Sequence, residues 1–187
     1  MKHRIFIAIN LSKKAKSEVL EAQERMKKLD LPIKWVTPEN IHVTLTFLGY
    51  LEDEQLEEIK KIVEEATQEI SSFRLSTGNL DFFPNVKRAR VVVVHLKGDT
   101  IVFKVNKNLR ESLGKLSYIQ LEKRAFKPHL TLGRIKKEGW GRKSGALEKL
   151  KEIKIHANWK VESVEIMESK LTPKGAEYSI VKSYPLK

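Results

Sequence analysis

Ile41-His42-Val43-Thr44-Leu45 and Pro128-His129-Leu130-Thr131-Leu132 decide how this 187-residue chain is read. Each runs His, apolar, Thr, Leu. With five His and eight Thr in the chain, chance supplies roughly 0.2 His-x-Thr triplets, so two that also share their apolar positions form a pattern. Residues i and i+2 of a strand project from one face. His42 and Thr44 therefore point together, as do His129 and Thr131, while Val43, Leu45, Leu130 and Leu132 point to the packed side.

Outward from these motifs the chain repeats an order. His3 to Ile9 alternates as a strand, Asn10-Leu11-Ser12 suits a helix cap, and residues 13–29 carry Val19, Leu20 and Met26 among Lys and Glu as an amphipathic helix. Ile33 to Val36 is a short strand, Pro38-Glu39-Asn40 a turn, and Ile41 to Phe47 the first motif strand, closed by Gly49. A helix is expected over 52–71 and an extended run over Phe73 to Phe83. The second half offers a strand at Arg90 to Val94, a helix over 99–114, the motif strand His129 to Ile135 and a short helix over 145–152. Ile153 to Leu171 reads as mostly extended, Thr172-Pro173-Lys174-Gly175 as a turn, and 161–183 as a hairpin. Ile5 precedes His42 by 37 residues and Val92 precedes His129 by 37, which suggests an internal repeat. The C-terminal hairpin, and the lack of a Gly-rich strand-to-helix turn, favour α+β over a parallel sheet. No linker splits residues 1–187, so a single domain is expected.

Composition bounds the partners. Lys and Arg number 36 against 24 Asp and Glu, a formal charge of +12 that attracts polyanions, nucleic acid first among them. The absence of cysteine excludes disulfides, thiol nucleophiles and thiolate metal sites. No apolar run approaches the roughly 20 residues of a membrane span, and no cleavable leader is visible, so a cytoplasmic protein is expected, with no membrane partner.

A single strand His is most often a packed or surface residue; a duplicated His-x-Thr pair in one cleft is a chemical toolkit. Imidazole titrates near neutrality, so one His acts as general base and the other as general acid. Thr hydroxyls bond phosphate oxygens. Two His without Cys, Asp or Glu at ligand spacing are too few for zinc, so neither metal nor cofactor is expected. His3, His95 and His156 have no Thr two positions on and read as structural or surface residues.

The two motifs, with Arg4 to Ile9, Trp35 to Gly49, Phe126 to Arg134 and Ser169 to Tyr178, resemble the two-histidine phosphoesterase superfamily. More narrowly they resemble the RNA 2′,3′-cyclic phosphodiesterases, also called 2′-5′ RNA ligases. The resemblance covers nearly the whole chain. It implies two pseudo-symmetric lobes of antiparallel sheet around a central cleft, with helices outside. It implies hydrolysis of a 2′,3′-cyclic phosphate to a 2′-phosphate, with His129 activating water, His42 protonating the departing 3′-oxygen, and Thr44 and Thr131 holding the phosphate. Arg134 matches a family arginine, although strict alternation puts it opposite His129 unless a bulge intervenes. Phe126 is a candidate for stacking on a terminal base, Lys127 for meeting the RNA backbone, and Trp35 for the cleft wall or the core. Gly133 departs from the Ala or Leu common in the family. Expected partners are RNA ends, tRNA among them, or small cyclic nucleotides, met by a monomer. The alternatives are ligation at the same site in reverse, and a non-catalytic module that binds RNA ends.

Overall fold

The first strand, β1 (His3–Asn10), buries Ile5, Ile7 and Ile9 in the main core and turns Phe6 and Ala8 to the opposite face, where they pack with Met167. That division runs through the molecule. The computed structural model describes residues 1–136, 145–173 and 175–187. After β1 come α1 (Lys13–Lys27), β2 (Ile33–Trp35), a 3-10 turn at Pro38–Asn40, β3 (His42–Leu51) and α2 (Asp53–Thr67). Then follow β4 (Phe73–Phe83), a second 3-10 turn at Val86–Arg88, β5 (Val91–Gly98), α3 (Ile101–Leu113) and β6 (His129–Ile135). The chain closes with α4 (Gly145–Glu152), β7 (Asn158–Val161), β8 (Ser163–Thr172) and β9 (Gly175–Pro185).

The strands form one antiparallel sheet in the order β7-β4-β5-β6-β3-β1-β8-β9, with β2 paired to β6. The order reads alike from both ends. β5 and β6 flank their helix as β1 and β3 flank theirs, and the motif strands meet at the centre through Val43 and Leu130. This is the expected α+β fold: two related lobes, with helices against one face. Val19 and Met26 of α1, Ile59 and Val63 of α2, and Val105 and Leu109 of α3 pack there on Ile7, Val43, Val92 and Leu130.

Local chemistry sets the element ends. Ser12 accepts from the Ala15 amide and starts α1. At α2 the Glu52 side chain and Gln55 close a reciprocal capping box, so this helix begins at Asp53 and, ending at Thr67, is shorter than the expected 52–71. Gly133 lies on the packed side, where a Cβ would stand 2.4 Å from Ile33 Cγ2 and 3.2 Å from Trp35 Cε3, so a larger residue would need Ile33 to shift, and glycine lets β2 close on β6 as it does here.

Three expectations change. Ile153 to Leu171 is two strands, and β7 pairs with β4 in the second lobe rather than lying in the hairpin. The hairpin is β8–β9, from Ser163 to Pro185; Lys174 of its turn lies outside the described residues. The repeat is also two residues out of step. Asn10 faces His42 and His95 faces His129, so Val92 corresponds to Ile7 rather than Ile5. Among the described residues, no helix is long and apolar enough to cross a membrane.

Candidate active site

Each motif strand carries an extra residue at its motif leucine, and β3 carries a second one further on, at Leu48. Ala8 and Ile7 of β1 face Thr44 and Thr46, leaving Leu45 unpaired with them. Val93 and Val92 of β5 face Thr131 and Gly133, leaving Leu132 likewise. A bulge resets the alternation of a strand. Beyond Leu45 the residue returning to the His face is Phe47, and beyond Leu132 it is Arg134. The bulge that Arg134 required is therefore present.

Both bulges are held from the helix layer by buried amides. Gln23 of α1 donates to the Leu132 carbonyl at 3.0 Å and to the Val36 carbonyl at 2.9 Å. Asn106 of α3 donates to the Leu45 carbonyl at 2.8 Å. The bracing is crossed: the helix of each half supports the motif strand of the other.

On the opposite face lies a cavity of about 530 Å³, lined by His42, Thr44, His129, Thr131 and Arg134 together with Phe47 and Tyr178. The antiparallel register at Val43 and Leu130 sets His42 beside Thr131 and Thr44 beside His129. Lys34, Trp35, Glu39 and Asn40 form one wall; Thr172 and Gly175 to Tyr178 form another. Asn40 joins the walls by donating to the Ala176 carbonyl at 2.7 Å.

The two imidazoles are oriented alike. His42 Nδ1 donates to the Asn40 carbonyl at 2.9 Å, and His129 Nδ1 to the Lys127 carbonyl at 2.7 Å. A carbonyl only accepts, so Nδ1 carries hydrogen in both rings and Nε2 is the atom left for chemistry. The Thr44 hydroxyl lies 2.9 Å from His42 Nε2 and donates to it while the ring is neutral. Phe6 and Tyr178 enclose the His42 ring at centroid distances of 4.9 and 5.3 Å; Phe83 meets His129 edge-on at 4.8 Å.

Burial pushes the His42 pKa down to about 4, with further depression from His129 and Lys16 against the opposing pull of the Asn40 carbonyl. Burial also lowers His129, helped by His95 and opposed by the Lys127 carbonyl. Both rings are thus neutral at neutral pH in the unliganded protein.

Phe126 and Lys127 are not brought into the cavity. The Phe126 ring packs on the core and meets Phe103 at 5.8 Å, while Lys127 is exposed and serves the site through its carbonyl. Trp35 both lines the cavity and packs on the core. His95 stands nearer the site than its sequence context suggested: it faces His129 across the strands and bonds Asp81 at 3.1 Å. Phe47, Tyr178 and the amides of Gln23 and Asn106 were not singled out by sequence. For the amides the available signal was a polar residue four positions from Val19 and Val102 on otherwise apolar stripes. Among the described residues, no group of three or more His, Cys, Asp or Glu is arranged to hold a metal ion.

Known proteins match this chain along its length, in sequence and in fold. An Aquifex aeolicus protein named RNA 2′,3′-cyclic phosphodiesterase is 31% identical, over 98% of this chain and 97% of its own. A Methanothermobacter thermautotrophicus protein of the same name is 27% identical over the whole of both chains. Among solved structures, a Thermus thermophilus protein superposes with a TM-score of 0.82 at 24% identity, covering 98% of this chain and 97% of that one. Escherichia coli LigT, solved with 3′-AMP, gives 0.79 at 20% identity, covering 100% and 99%. The model of the LigT-like phosphoesterases matches residues 9–93 and 103–178, a span that takes in both His-x-Thr strands, and the chain belongs to that family.

Proposed function

We propose that the protein hydrolyses 2′,3′-cyclic phosphate ends of RNA to 2′-phosphates, using His42 and His129 as an acid–base pair. Water attacks phosphorus as His129 Nε2 takes its proton. The bond from phosphorus to the 3′-oxygen breaks as His42 Nε2 delivers a proton to that oxygen. A 2′-phosphate and a 3′-hydroxyl result, and the two rings have exchanged protonation states. Thr44 and Thr131 hold the non-bridging oxygens and Arg134 the substrate's negative charge. Residues 1–187 act as one unit, a cytoplasmic monomer whose substrates include tRNA ends.

The observation that carries this reading is the matched pair of imidazoles, each with Nδ1 committed to a backbone carbonyl, sharing one cavity with two threonines. The relatives named above carry the name RNA 2′,3′-cyclic phosphodiesterase, which supports the substrate class. The low pKa of His42 leaves it unprotonated in the free protein. The phosphate supplies the remedy, because an anion beside the ring favours its charged form. Once charged, Nε2 no longer accepts from Thr44, whose hydrogen is freed for a phosphate oxygen, and its own hydrogen is available to the departing 3′-oxygen.

The test is turnover of a short RNA ending in a 2′,3′-cyclic phosphate, in excess EDTA, with the product end identified. The wild type should yield a 2′-phosphate, and His42→Ala and His129→Ala should each lose about 10²- to 10⁴-fold. No turnover by folded wild type, or activity that EDTA abolishes and one metal ion restores, would overturn the reading. Joining to a 5′-hydroxyl in place of hydrolysis would redirect it to ligation.

A further inference from the structure

Lys34 of β2 stands directly opposite Arg134 of β6. Cross-strand partners project from one face, and the flanking pair Ile33 and Ile135 packs on the core, so the two cations share the other face, where both line the cavity. Like charges placed directly opposite destabilise a strand pair. Glu39 and Glu177 line the same cavity, yet among the described residues neither forms an ion pair with Lys34 or Arg134. Two features create the juxtaposition. The bulge at Leu132 turns Arg134 to this face, and Gly133 lets β2 close on β6. Two cations thus stand side by side, and among the described residues no carboxylate pairs with either.

We propose that Lys34 and Arg134 form a second phosphate subsite, which takes the phosphate on the 5′ side of the terminal nucleotide. The proposal rests on the cyclic phosphodiesterase reading and narrows its substrate to a strand of RNA rather than a free nucleoside cyclic phosphate. The reacting phosphate sits between the threonines, and the next phosphate of an RNA strand lies one ribose away. A guanidinium grips phosphate oxygens as a planar fork; the lysine ammonium adds a point charge on a long stem, which suits a ligand held at the rim.

The experiment compares kcat/KM for a nucleoside 2′,3′-cyclic phosphate bearing a 5′-phosphate with that for its 5′-hydroxyl counterpart. Both are assayed with wild type, Lys34→Ala and Lys34→Arg. In parallel, calorimetry compares binding of a nucleoside 2′,5′-bisphosphate with that of the 2′-monophosphate. The wild type should prefer the 5′-phosphorylated partner about tenfold or more in both assays. Lys34→Ala should bring both ratios most of the way to one, Lys34→Arg should retain them, and added salt should shrink them. A wild-type ratio near one, or a ratio that Lys34→Ala leaves intact, would overturn the subsite. If neither cyclic phosphate is turned over, the cyclic phosphodiesterase reading fails and the binding ratio alone decides the subsite. If both are turned over equally, the subsite alone fails.

Discussion

The two motif strands are alike for four residues and then part. His42-Val43-Thr44-Leu45 and His129-Leu130-Thr131-Leu132 each place a histidine and a threonine in the cavity, and each bulges at its leucine. Two residues beyond the bulge one strand presents the exposed ring of Phe47 and the other the guanidinium of Arg134. The flanks diverge as well. Beyond β6 lies β2 with Lys34, and beside β3 lies β1, whose Phe6 stacks against His42. Symmetric chemistry needs two similar groups on either side of one phosphorus. A directional substrate, with a base on one side and a charged strand on the other, needs the symmetry to fail just outside them.

The comparison breaks most easily at Arg134. Arg134→Leu should lower kcat/KM for an RNA ending in a cyclic phosphate by about 100-fold, because a charge-assisted bidentate contact to the phosphate on the 5′ side is lost, and Arg134→Lys should recover only part of it. Equal losses from Arg134→Leu and Phe47→Leu would deny that the two lobes differ in role. Next come the crossed amides. Gln23→Ala and Asn106→Ala should each cost about 1–3 kcal/mol by stripping a buried carbonyl of its donor, visible as a fall in Tm. A cost confined to one of them would show that the bracing is not shared. Phe47→Leu should follow, with about a tenfold rise in KM for substrates that carry a base and a much smaller one for a base-free ribose cyclic phosphate.

The smallest effect concerns titration. The free-protein pKa of His42, near 4, should move upward by about one unit when inorganic phosphate binds, as followed by NMR of the ring protons. Because kcat/KM reports the free protein and kcat the complex, the bell for kcat should lie at higher pH than the bell for kcat/KM. A shift in the other direction would contradict the acid role of His42.

Much of this was legible because two-residue periodicity is strict. The spacing of His42 to Thr44 and of His129 to Thr131 fixed a shared face without knowledge of the fold, and the same rule marked Arg134 as reachable only through a bulge. Long-range pairing was not legible in this way. Nothing local says that β2 should join β6, that Lys34 should meet Arg134, or that β7 should cross to β4, because those contacts depend on how separate segments dock. Phe126 was ambiguous for the same reason, since a ring beside a motif can as readily pack on Phe103 as face the cleft. His95 was passed over because its partner, Asp81, is distant in sequence and adjacent only through the β4–β5 pairing. Gln23 and Asn106 interrupt the apolar stripes of their helices, and their purpose shows only when the bulge carbonyls beneath them are seen.

The crossed amides also bear on ancestry and severability. Each half of the chain supplies the donor that the other half's motif strand needs, so neither carries its own full set. Two copies of one half, placed about the axis between Val43 and Leu130, would exchange the same bonds between separate chains. In that sense the molecule is a dimer written as one polypeptide, and its active site is a subunit interface that no dilution can separate.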